Sequence, residues 1–310
     1  MEADVTTCYR HPKVETYVRC TRCDRYICPD CMREAAVGHQ CVECVKEGHR
    51  SIRQARTVFG GKVAGSAVPV VTYVLIALNV LAYLGELVRP EIVDRFGMLG
   101  QGLIGPDGAY YLYENTHFAG FEAVGVAEGE WYRLVTAAFL HLPPGGGTFG
   151  ILHIVLNMYG LWNLGRVVED QLGRVRYLAL YLLSALGGSV LVFLISPQDN
   201  AVGASGAIFG LAASFYVISR RLNRDMHGVN RFLAGFLIWM VISAGFTSWE
   251  GHLGGLLSGA CVTAALAYAP AKHRTVVQAA ATVGVLILLV ALAVLKSSEL
   301  TGQHSSPTMP

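Results

Sequence analysis

Gly203-Ala204-Ser205-Gly206 opens one apolar segment of membrane length, and Gly251-His252 opens another. Polar and ionisable groups inside such segments are expensive to bury, so each marks a functional site by default. A serine becomes a useful nucleophile when a histidine base lies within hydrogen-bond reach. Whether Ser205 and His252 reach one depth depends on what surrounds them.

The chain is 53% hydrophobic and 15% charged, too apolar for an ordinary soluble protein of 310 residues. The apolar excess begins after about residue 66. It predicts seven spanning helices at 68–88, 149–164, 177–195, 201–219, 232–244, 251–269 and 276–295, most near the roughly 20 residues that a bilayer core requires. An all-α polytopic membrane protein is the expected class. The breaks have local causes: the charged stretch 166–176, the turn residues Ser196-Pro197-Gln198-Asp199-Asn200, and the basic stop 270–274. Segment 89–130 holds no spanning run, and its aromatics Tyr110, Tyr111, Tyr113, Phe118 and Phe121 predict an amphipathic structure lying in the interface. The opening Met-Glu-Ala-Asp-Val-Thr-Thr-Cys has no basic start and no apolar stretch, so no signal peptide is expected. The net charge of +2 discriminates little among partners.

Lysine and arginine placement sets the orientation. Arg50, Arg53, Arg56 and Lys62 precede the first span, and Arg166, Arg174, Arg176, Arg220, Arg221, Arg224, Arg231, Lys272 and Arg274 fall in every second connection. The short connections near Pro197 and Trp249 hold none, and the long first loop holds only Arg89, Arg95 and Arg133. The expectation is a cell-membrane protein with its N-terminus cytoplasmic and its C-terminus outside. The second, fourth and sixth spans then all start at the outer surface. His153 and Asn157, one helical turn apart, share a face of the second span. With Ser205 and His252 they reach one level in the outer half of the bilayer.

The chemistry suits that set. Ser205 would attack a carbonyl, and His252 would take its proton and return it to the leaving amine. Asn157, His153 and the backbone N–H of Ser205 are candidate donors to the oxyanion. Glu250 falls at the outer rim and is no evident orienter of His252, so a dyad is expected rather than a triad. Gly251, Gly255 and Gly259 repeat every four residues, as do Gly206 and Gly210, a spacing that lets helix backbones approach closely. Ala207 replaces the last glycine of a soluble hydrolase elbow.

On these motifs the chain resembles the rhomboid family of intramembrane serine proteases across roughly 68–269. Gly203-Ala204-Ser205-Gly206 matches GxSG, His252 through Gly255 and Gly259 matches HxxGxxxG, and His153 to Asn157 matches HxxxN. Tyr132-Arg133 sits where a Trp-Arg pair is usual, with Trp131 one residue earlier. The resemblance implies a six-helix core with a seventh helix added at 276–295. It implies Ser205 as nucleophile, His252 as base, His153 and Asn157 as oxyanion donors, and Phe209 packed on the catalytic histidine. Gly203, Gly206, Gly255 and Gly259 would be supporting positions. Departures are Gly251 where Ala is common, and the insertion Pro143-Pro144-Gly145-Gly146-Gly147. Implied substrates are single-pass transmembrane proteins in the bilayer, cut near the outer face. The alternative is a non-cutting relative that grips membrane helices, although such proteins typically lack the serine–histidine pair. A transporter is disfavoured because no acidic residue lies deep in the fourth or sixth span. His117 and His273 read as solvated loop residues, His141 as a rim residue, and Cys261 as a small buried apolar group.

Seven of the eight cysteines lie in residues 1–50. Cys8–His11, Cys20–Cys23, Cys28–Cys31 and Cys41–Cys44 share one spacing. Each pair puts two ligands on one tight turn, and two pairs complete a tetrahedral zinc site. Eight ligands make two structural zinc ions, paired either sequentially or interleaved; His39 and His49 are spare. A disulfide knot is disfavoured by the expected reducing compartment. So short a segment lacks a sufficient core, and metal would supply its folding energy. The pattern resembles B-box-like zinc modules. Eight Lys/Arg balance eight Asp/Glu here, and seven thiolates outweigh two zinc ions, which excludes a basic nucleic-acid footprint. Protein binding, to a cytoplasmic partner or by self-association, is the expected role. Residues 51–67 read as a basic flexible linker with a joint at Gly60-Gly61, and 296–310 as a disordered tail.

Overall fold

The structure, a computed structural model, describes residues 6–51, 56–61, 68–112, 119–145, 150–245 and 247–304. Tyr113, His117 and Phe118, Arg53 and Lys62 of the linker, Gly146 and Gly147 of the insertion, and 305–310 of the tail lie outside them. The chain divides into two compact units, Met1–Ala55 and Arg56–Pro310.

The first unit holds a short 3-10 turn at Pro29–Cys31, an antiparallel hairpin of β1 (Met32–Glu34) and β2 (His39–Cys41), and the helix α1 (Val42–Ser51). Its core consists of cysteines and Ile27, with Tyr9 and Met32 packed alongside. Little apolar surface is available to stabilise it without metal.

The second unit begins with α2 (Val70–Val88) and α3 (Glu91–Phe96). A three-stranded antiparallel sheet follows, built from β3 (Gly102–Ile104), β4 (Tyr110–Tyr111) and β5 (Glu122–Val124) in the order β4-β3-β5. Next come α4 (Arg133–Thr136), α5 (Ile151–Leu172), α6 (Arg174–Ile195), α7 (Ser205–Arg221), α8 (Met226–Ser243), α9 (Trp249–Tyr268) and α10 (Arg274–His304). Seven long helices therefore occupy the seven predicted spans. The polytopic helical class holds, and two small sheets are added to it. In segment 89–130 the aromatics serve a hairpin: Asp107 and Gly108 make its turn, with Gly108 at φ 78° and the Asp107 carboxylate accepting from Ala109 N. Tyr111 packs edge-on against Phe121.

By length and apolarity α2, α6, α8 and α10 are each able to cross a membrane. Of the others, α7 is only 17 residues long, and α5 and α9 hold polar residues within their runs, His153, Asn157, Asn163 and Arg166 on the one and Glu250, His252 and Ser258 on the other. α7 is buried along most of its length and α9 along half of it, whereas α5 keeps Leu152, Val155, Tyr159 and Trp162 exposed. α9 lies against both α6 and α7. A methyl on Gly255 would sit 1.9 Å from the Gly206 carbonyl oxygen, and one on Gly259 2.4 Å from Gly210 Cα. The four-residue glycine spacing thus creates the close crossing it predicts.

Two expectations about the ends are corrected. α10 runs to His304, so residues 296–304 are helical rather than a disordered tail. Leu300 is buried in the core, and Lys296 pairs with Glu299 one turn on. The Gly60-Gly61 joint is also not free. Residues 56–61 form a turn in which Phe59 is buried, and a methyl on Gly61 would lie 2.2 Å from the Leu172 carbonyl oxygen. Gln278 on α10 donates to the carbonyls of Phe59 (3.0 Å) and Leu266 (2.7 Å), fastening the turn to the helices.

Candidate active site and metal centres

Ser205 is the first residue of α7. The chain enters through Gly203, whose φ of 131° suits glycine, and whose N–H donates to Ala137 O (2.9 Å). A methyl on Gly203 would sit 2.8 Å from His153 Nε2, so this glycine leaves the room through which His153 approaches the serine. From the first turn of α9, His252 Nε2 comes to 3.0 Å from Ser205 Oγ. The His252 ring stacks on Phe209, one turn along α7 from Ser205, with centroids 4.3 Å apart and planes 12° apart. His252 Nδ1 is buried with no hydrogen-bond partner among the described residues. Glu250 is buried in the same turn of α9, but it accepts from Ser196 Oγ (2.8 Å) and Ser248 Oγ (3.3 Å) instead. Among the described residues no carboxylate stands behind the histidine.

On α5, His153 Nδ1 accepts from the backbone N–H of Leu142 (3.2 Å). That bond assigns the proton to Nε2, the nitrogen facing the serine. Asn157 is buried one turn further along, its amide donating to His153 O (2.8 Å). Both line a cavity of about 600 Å³ that also contains Ser205 and His252 and lies between α5 and α8, with Phe236 and Trp239 on its far wall.

His141 is corrected from a rim position. It is fully buried, its ring 5.2 Å from that of His153, and its backbone N–H donates to the buried Glu86 (3.1 Å). Two carboxylates escape a reading of motifs. Glu169 of α5 accepts from Val71 N, Thr72 N and Thr72 Oγ1, all within 3.0 Å, and so caps the start of α2. Its signal is an acidic residue four past Gly165, inside what reads as a charged break. Glu86 is a lone carboxylate at the end of an apolar run. Arg133, buried, donates to Glu130 (2.7 Å) and to the carbonyls of Asp94 (2.7 Å) and Gly97 (2.9 Å), tying loop 89–130 to α4.

In the first unit the cysteine and histidine pairs interleave. Cys8, His11, Cys28 and Cys31 form one set and Cys20, Cys23, Cys41 and Cys44 the other, with ligand atoms within 4.8 Å of one another in each. His39 and His49 belong to neither set. Tetrahedral bonds of roughly 2.3 Å to sulfur imply sulfur–sulfur edges of about 3.8 Å. Cys23 and Cys41 are 3.8 Å apart, and His11 Nδ1 lies 3.2–3.9 Å from the three sulfurs of its set. None of the cysteines is in a disulfide. Backbone N–H groups of Cys41 and Cys44 point at Cys20 and Cys41 sulfurs (3.2 and 3.3 Å), as suits thiolate. The two clusters fit metal ions.

The rhomboid domain matches residues 128–269. The chain is 32% identical over 212 residues to Rhomboid protease GluP of Bacillus subtilis (strain 168), covering 64% of this chain and 35% of GluP. It is 34% identical over 146 residues to RHOMBOID-like protein 6, mitochondrial, of Arabidopsis thaliana, covering 44% of each. To YdcA, a rhomboid relative in the same Bacillus strain, it is 32% identical over 141 residues, covering 44% of this chain and 67% of YdcA. The chain belongs to the rhomboid family. It is a multi-pass membrane protein, and it spans less than half the length of GluP and RHOMBOID-like protein 6.

Proposed function

We propose that this chain is an intramembrane serine endopeptidase acting through a Ser205–His252 dyad. The observation that carries the reading is the 3.0 Å approach of His252 Nε2 to Ser205 Oγ, with the imidazole held flat on Phe209. Ser205 Oγ attacks the scissile carbonyl as His252 takes the hydroxyl proton. The carbonyl oxygen becomes an oxyanion, received by His153 Nε2–H, the Asn157 amide and the Ser205 backbone N–H. His252 then protonates the leaving amine, and water, activated by the same histidine, frees the acyl-enzyme. Water exclusion by α5, α7 and α9 strengthens each of these interactions.

A single-pass transmembrane substrate enters from the bilayer through the gap between α5 and α8. Beside Ser205 a small recess walled by Ala137, Ala185, Gly188 and Gly251 takes a small side chain next to the cut. With the N-terminus cytoplasmic, cleavage occurs near the outer membrane face. The two interleaved sites hold zinc, which folds the first unit and takes no part in the chemistry; closed four-ligand sets leave no position for substrate. That module serves a cytoplasmic protein partner. Purified protein in liposomes should cleave a model single-pass substrate, and Ser205→Ala or His252→Ala should abolish cleavage with unfolding temperature nearly unchanged. Full cleavage by Ser205→Ala on a gel beside wild type would sink the mechanism.

A further inference from the structure

Three arginines from separate segments converge on the turn at 56–61. Arg56 donates to Gly60 O (3.2 Å), Arg274 to Val58 O (2.9 Å), and Arg176 to Gln278 Oε1 (2.8 Å). A methyl on Gly60 would lie 3.0 Å from Arg274 Cδ and 3.5 Å from Arg176 Nη2. Each of these bonds goes to a neutral acceptor and uses one of the five N–H donors of a guanidinium. Among the described residues none of the three pairs with a carboxylate. Glu169, a nearby carboxylate on α5, is committed to Val71 and Thr72.

The placement also runs against helix electrostatics. Arg176 lies in the first turn of α6 and Arg274 is the first residue of α10. Neither first turn holds an acidic residue, and Gly173 offers α6 no side-chain cap. Helix amino ends carry positive partial charge and favour anions, with their leading N–H groups unbonded within the helix. Three cations are held instead beside two such ends. The arrangement is self-repulsive unless an anion sits among the arginines.

We propose that Arg56, Arg176 and Arg274 bind a phosphate group at this end of the helix bundle. Guanidinium forks match phosphate oxygens bidentately. Helix ends lie at headgroup level, so the phosphate comes from an anionic phospholipid or from a soluble phosphate compound. Bound there, it neutralises the cluster and fastens the 56–61 turn to α6 and α10.

Native mass spectrometry of the full chain in detergent, titrated with phosphatidylglycerol or phosphatidylcholine, tests the site. Wild type should retain phosphatidylglycerol preferentially. Arg176→Gln with Arg274→Gln should weaken it by about fivefold for each arginine removed. A control pair on the same membrane side, Arg220→Gln with Arg224→Gln, should change it less than about twofold. Millimolar inorganic phosphate without lipid separates the sources. If phosphate alone raises the unfolding temperature of wild type but not of the cluster variant, and phosphatidylglycerol adds nothing, the ligand is soluble. Should the double variant not fold, Arg56→Gln alone, altering an exposed side chain, reports the same loss. Equal retention of both lipids with no response to phosphate overturns the site. So does an equal loss in the control pair, which would mean diffuse charge attraction.

Discussion

Ser205 opens α7, so its own N–H and that of Gly206 have no partner within the helix, and the first helical bond runs from Ile208 N to Ala204 O. The positive end of the helix therefore faces the place where an oxyanion would form. Asn157 adds an amide with one N–H already on His153 O, leaving the other for that charge. Asn157→Ala should lower kcat about 10²–10³-fold with KM little changed, if it is the main donor. A loss under about threefold would move the role to His153 or the backbone. At this scale the proposed site was legible because it rests on short local motifs. Ser205, His252, His153 and Asn157 each stand in a motif on one helix. Glu86 and Glu169 were not legible as partners, since their bonds reach 55 and 97 residues along the chain.

Helix packing explains why Ser205 and His252 hold their distance. Gly255 and Gly259 let α9 seat its backbone against that of α7, so Gly255→Ala must push the two helices apart. The expected outcome is a loss of roughly 1–3 kcal/mol of stability, read as a lowered unfolding temperature, together with severe loss of cleavage. Wild-type behaviour in both readouts would show that the crossing is slack. The first loop depends on a different interaction. Burial alone would raise the Glu130 carboxyl, but the Arg133 guanidinium, the Tyr132 hydroxyl and Gly125 N–H hold it below the usual carboxylate range. A depressed folded pKa contributes stability that is present above the ordinary value and lost as pH falls through the folded one. Unfolding temperature should thus fall in acid, Glu130→Gln should flatten that fall, and Arg133→Lys should lower it at neutral pH because the fork cannot be replaced. Apolar runs made the helices legible, but not their ends: α5 continues to Leu172 because buried Glu169 has α2 to cap, and α10 continues to His304 because Leu300 finds a core. Strands of two or three residues carry too little periodicity to declare themselves in a sequence.

Two compact units with separate cores imply separable roles. Metal analysis of the full chain should give two zinc ions, and chelation should make 1–50 protease-sensitive while cleavage in liposomes continues. A chain starting at Arg56 should cleave like wild type. One starting at Val68 should unfold at lower temperature, because it lacks the buried Phe59 and its bond to Gln278. Loss of cleavage on zinc removal would join the two roles. The boundary was the least legible part of the chain: paired glycines resemble a hinge, and only the folded arrangement reveals that Gly61 serves close contact with Leu172.

The Gln278–Phe59 bond also has a history in time. Its partners are 219 residues apart, so at 5–20 residues per second a ribosome makes the second roughly 10–40 s after the first. The metal ligands, all before residue 45, are complete long before that. During biosynthesis the N-terminal module is therefore finished while the segment behind it still waits for the last helix. Gln278 is made after Ser205 and His252, so α10 can dock on the 56–61 turn only once both residues of that pair have been synthesised.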